Sequence, residues 1–82
     1  MNNTIRLCDL GAGEVARVIE ISPKNRIKER LFDIGLIGGT LVRCLFKSPH
    51  GGMRAYLIRG ACIAIRDVDI CDVLAERSEK WV

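Results

Sequence analysis

Residues 40–66 carry three apolar-alternating segments in succession, TLVRCLFK, MRAYLIR and ACIAIR, separated only by SPHGG and by Gly60. Alternation of period two with connections this short predicts consecutive antiparallel strands. In the first segment Val42, Cys44 and Phe46 share one side, and Leu41, Arg43, Leu45 and Lys47 share the other. The charges mark the second side as outward. In the next segment Tyr56 and Ile58 lie opposite Ala55, Leu57 and Arg59, and in the third Ile63 and Ile65 fall together. SPHGG, with Gly51, has hairpin-turn composition, and Gly60 is a tight break.

The flanking sequence adds two strands and a helix. EVARVIEI, residues 14–21, alternates, but Arg17 among Val15, Ile19 and Ile21 leaves its buried face open. LCDLGAG before it reads as a loop. Ser22-Pro23 resembles a helix start, with Ser22 accepting from an orphan N–H and Pro23 at the first helical position. Ile27, Leu31 and Ile34 then give one apolar stripe, and Gly35 follows as a stop, predicting a helix near residues 23–34. Gly38-Gly39 forms a turn. The acidic run at Asp67, Asp69 and Asp72 reads as a polar turn, followed by a short strand over Cys71 to Leu74 and a loose tail over 77–82. Five short strands and one helix after the first predict a mainly β fold, a small antiparallel barrel that closes or nearly closes its edges.

The chain's 82 residues suit one domain, residues 1–82. Hydrophobic residues make up 49% of it and charged residues 28%, which marks a folding sequence and not a disordered one. Phe32, Phe46, Tyr56 and Trp81 are the only aromatics, so Ile, Leu and Val must build the core. A net charge of +3 permits an anionic partner without requiring one. No apolar run is long enough to span a bilayer, and MNNTIRLCDLG lacks the pattern of a secretory signal, so a cytoplasmic location is expected. Cys8, Cys44, Cys62 and Cys71 are then expected reduced. Their spacing offers no close pair for zinc, and neither they nor His50 is assigned to a metal. Phosphate-binding and dinucleotide-binding glycine patterns are absent, so no catalytic residue and no cofactor is assigned.

Leu7, Leu10, Gly13 and Glu14 precede the first strand; RLFDIGLIGGTLV, KSPHGG and IRGACIAIR follow in order. This series resembles the FeoA family, small proteins of bacterial ferrous iron transport. Leu31, Ile34, Gly35 and Leu36 match the family's helix end, and Gly39 and Thr40 its following turn. Pro49 and Gly51 match the next turn, and Arg59, Gly60, Ile63, Ala64, Ile65 and Arg66 the later strands. Gly38 stands where the family usually has Pro, His50 where it often has Leu, and Gly52-Met53 replace Asp-Pro. The resemblance implies an SH3-like barrel and a non-enzymatic accessory role beside FeoB, the membrane GTP-binding iron permease. A similar domain ends iron- and manganese-dependent repressors, after a DNA-binding segment for which this chain has no room.

An adaptor needs a contact surface. Leu41, Leu45 and Leu57 are expected together on the outer face of the hairpin around SPHGG, rimmed by Arg43, Lys47 and Arg59, with His50 at the turn. The partner is expected to be the cytosolic part of FeoB, or a second copy of the chain. The bland alternative is that a loop, the helix or Trp81 covers these leucines. Two other readings compete. One is a nucleic-acid-binding barrel using the basic helix with Arg43, Arg54, Arg59 and Arg66, against which the scarcity of exposed aromatics counts, so no nucleic acid is expected. The other is a metal carrier built on the cysteines and His50.

Overall fold

The computed structural model describes residues 4–80. Six strands form one antiparallel sheet: β1 Thr4–Arg6, β2 Val15–Ile21, β3 Leu41–Lys47, β4 Met53–Ile58, β5 Ala61–Arg66 and β6 Val73–Ser78. Their order is β1-β6-β2-β3-β4-β5, so β1 and β5 are the two edges and the sheet does not close. A 3-10 turn, Leu7–Asp9, follows β1. Helix α1 spans Lys28–Asp33, and a single helical turn, α2, spans Asp67–Ile70.

The mainly β antiparallel reading holds, and the strands at residues 41–66 lie where the alternation puts them. The added strand is β1. Its three residues pair with β6, Thr4 opposite Glu76 and Arg6 opposite Leu74, a long-range partnership that three residues cannot announce. The last strand starts at Val73 rather than Cys71 and reaches Ser78, because it pairs with both β1 and β2 and points Val73 and Ala75 into the core. The expected tail therefore belongs partly to the sheet; the position of Trp81 lies outside the described residues. The acidic turn at Asp67 is one turn of helix.

The core is aliphatic, as the aromatic count requires. Leu7, Leu10, Val18, Leu31, Leu36, Val42, Ile58, Ile70 and Val73 are buried around Tyr56. The Tyr56 hydroxyl donates to the Leu7 carbonyl at 3.3 Å, which satisfies the one polar atom this ring brings inside. Arg54, on the same inward side of β4, has a side chain only 14% exposed. It donates from Nη1 to the Leu10 carbonyl at 2.6 Å and from Nε to Asp67 Oδ1 at 3.2 Å, tying β4 to the first loop and to α2.

Helix α1 is shorter than the predicted 23–34. Ser22 does accept, from the Lys24 N–H at 3.1 Å, but it caps a turn and not the helix. The segment is captured instead by buried Asn25. Its Nδ2 donates to the Asp69 carbonyl at 2.8 Å and to Asp72 Oδ1 at 2.6 Å, and its Oδ1 accepts from the Ile27 N–H at 2.9 Å. The helix ends as expected at Gly35, whose φ of 91° suits glycine. The Leu36 N–H returns to the Leu31 carbonyl and the Gly35 N–H to the Phe32 carbonyl, both at 2.9 Å, a paired C-terminal cap. Thr40 Oγ1 donates to the Gly35 carbonyl at 2.8 Å and fixes the passage into β3.

Candidate partner surface

Strands β3 and β4 are joined by the turn at Ser48–Gly52. There the Ser48 N–H donates to the Met53 carbonyl at 2.8 Å, the Gly51 N–H donates to the Ser48 carbonyl at 2.9 Å, and Gly51 and Gly52 both have positive φ. On the outer face of this hairpin Arg43 lies directly opposite Leu57 and also opposite Val15 of β2, while Leu41 lies opposite Arg17. Leu41, Arg43 and Leu57 are therefore neighbours. All three are half-buried, as is Leu45, so the leucines present edges and not whole side chains.

A β-bulge changes the rest of this face. The register steps from Cys44 opposite Tyr56 to Phe46 opposite Ala55, leaving Leu45 as the extra residue. Phe46 thus shares the side of Ala55 and Leu57, and it is 57% exposed. The expectation that Phe46 lies inward with Val42 and Cys44 is corrected: an inserted residue turns everything after it to the other face. Phe46 is the most exposed apolar group of the hairpin, and alternation alone put it in the core. A second bulge, between Val18 and Glu20 of β2, likewise exposes Ile19.

Two of the three expected rim residues lie elsewhere: Lys47, beyond the bulge, stands opposite Arg54 and not on the Leu57 side, and Arg59 leaves the strand altogether. Arg59 is exposed and takes φ 49° in the two-residue turn with Gly60. Its stem runs over Gly35, where a β-carbon would collide with it, so Arg59 packs on the end of α1. His50 sits exposed at the opposite end of the hairpin, roughly 20 Å of strand away from Leu41. Its backbone N–H donates to Ser48 Oγ at 3.3 Å within the turn.

The four arginines of the nucleic-acid reading do not form one stripe. Arg54 points inward, Arg43 outward, Arg59 lies over α1, and Arg66 pairs with Asp69 at 3.0 Å. Asp67 and Asp69 are thereby held by arginines. The four cysteines are free thiols. Burial and the neighbouring Cys71 push the Cys8 thiol up to about 12, and burial also raises Cys44. Among the described residues no three His, Cys, Asp or Glu side chains gather as a metal site. No helix among the described residues is long and apolar enough to cross a membrane.

A family model, the FeoA domain, matches residues 5–77. No curated protein matches the sequence. Among solved structures, the FeoA-like protein of Clostridium acetobutylicum is 26% identical, with a TM-score of 0.86 over 98% of this chain and 93% of that one. FeoA of Stenotrophomonas maltophilia, an SH3-domain protein solved with zinc, is 22% identical, with a TM-score of 0.76 over 88% of this chain and 89% of that one. A manganese-dependent transcriptional repressor is similar in fold alone, at 16% identity and a TM-score of 0.84, over 95% of this chain and 43% of the repressor. With the family model spanning all six strands but for Thr4 and Ser78, and the SH3-like architecture shared throughout, the chain belongs to the FeoA family, an accessory family of ferrous iron transport.

Proposed function

We propose that this chain is a non-enzymatic cytoplasmic adaptor that binds the cytosolic part of FeoB and modulates iron uptake. Family membership carries the reading. The surface supports it: the β3–β4 face presents exposed Phe46 opposite Ala55, with half-buried Leu45 and Leu57 near it and Arg43 and Leu41 further along the same face. An apolar centre with an adjoining cation is the composition of a protein contact. Arg59 and His50 stand at opposite ends of this hairpin and would meet a partner only if it spans the full strand length.

The test is co-purification. Tagged chain should retain FeoB from solubilised membranes of the same organism. Phe46→Asp and Leu57→Asp, checked for folding by circular dichroism, should lose it. Retention of FeoB by both folded variants would remove this face; no retention by the unaltered chain would remove the adaptor reading.

A further inference from the structure

The sheet has one long open edge. β5 runs six residues and pairs only with β4, in unbroken register from Ala61 opposite Ile58 to Arg66 opposite Met53. The two-residue turn at Arg59–Gly60 makes Ile58 and Ala61 a hydrogen-bonded pair, and antiparallel alternation then assigns Tyr56–Ile63 and Arg54–Ile65 the same role. The Asp67 N–H, donating to the Gly52 carbonyl at 2.8 Å, keeps that phase. The N–H and C=O of Cys62 and Ala64, and the N–H of Arg66, consequently point away from β4. No backbone group among the described residues pairs with them. Apart from Arg66 at its end, the edge carries no guard: no proline, no lysine and no bulge lies within Ala61–Arg66.

Beside this edge runs a groove of about 340 Å³ between α1 and β5. Its floor is apolar, from Ile27, Ile34, Ile63 and Ile65 among others, and Arg30 and Arg66 stand on its walls. Asp69, the acid that lines it, is already paired with Arg66. A second hollow at the start of α1 is lined by Arg26, Lys28 and Glu29 and shares Ile27 and Arg30 with the groove. A second copy of the chain brought edge to edge would bring the same surplus of cations, Arg30 and Arg66 against the single acid Asp69. The charge favours an acidic occupant, and the unpaired backbone row favours an extended one.

We propose that β5 receives an extended segment of a partner protein as an additional strand, its alternate apolar side chains entering the α1–β5 groove and its carboxylates meeting Arg30 and Arg66. This site is separate from the β3–β4 face and does not depend on FeoB being the partner. The probe is a displayed library of random peptides selected against the full chain. Enriched peptides should alternate apolar and acidic residues, and a bound peptide should slow amide exchange at Cys62, Ala64 and Arg66. Ala64→Pro should abolish binding, since the lost N–H faces the open edge while Ile63 and Ile65 hold the ladder to β4. Arg30→Glu should weaken binding about tenfold. If Ala64→Pro does not fold, the exchange pattern and Arg30→Glu still decide. A library that yields no binder, a basic consensus, binders that leave these three amides unprotected, or self-association of the chain through this edge would overturn the proposal.

Discussion

Individual residues show where chemistry constrains this fold most tightly. Gly35 takes φ 91° directly beneath the Arg59 stem. Gly35→Ala meets both the left-handed penalty and that stem, and should cost at least about 1–2 kcal/mol in a denaturant titration. The thiols separate by surroundings. Cys62 is exposed, whereas Cys8 and Cys44 are buried with raised pKa. An aromatic disulfide reagent should therefore label Cys62 first in the native chain and Cys8 and Cys44 only on unfolding. The raised Cys8 also sets an alkaline limit. Its folded thiol keeps its proton where the unfolded one loses it, so this contribution is whole below the ordinary thiol value and fades as pH climbs towards about 12. Burial raises the Tyr56 phenol in the same sense. The thermal midpoint should fall across that window, and by less in Cys8→Ala relative to its own value at neutral pH. An equal fall in both would exclude Cys8 as a cause.

At the scale of elements, α1 is held by what it docks against. Six residues of helix are marginal alone, and Leu31 is the side chain that carries it into the core. Leu31→Ala should cost about 2–5 kcal/mol, read as a lowered denaturation midpoint. Asn25→Ala should cost about 1–3 kcal/mol, because it strands partners of three hydrogen bonds on the α1 approach and α2. The strands β3, β4 and β5 were legible because alternation is a local property. Leu31 and the Gly35 stop were legible for the same reason. The start of α1 was not: Asn25 finds its partners at Asp69 and Asp72, some 44 and 47 positions along the chain. Nor were the bulges, since a single extra residue at Leu45 leaves the apolar pattern intact while it reverses Phe46. β1 needed β6, formed from the far end of the sequence, to become a strand at all.

For the whole molecule, an open sheet with two short helices leaves two distinct faces available to partners. One is the β3–β4 face, where Phe46 replaces the more shielded leucines as the exposed anchor. The other is the β5 edge with its basic groove. The order of glycines and aliphatics along the sequence pointed to the FeoA family; the partner surface was only half visible, because Leu41, Arg43 and Leu57 do adjoin while Arg59 and His50 face elsewhere. The proposed partner is the cytosolic part of FeoB, met through β3 and β4. The most direct measurement is an amide spectrum of isotopically labelled chain titrated with the soluble GTP-binding part of FeoB. Shifts concentrated at residues 41–46 and 55–58 are expected, and they should disappear in Phe46→Asp. A spectrum that does not change, or changes only outside these strands, would contradict it.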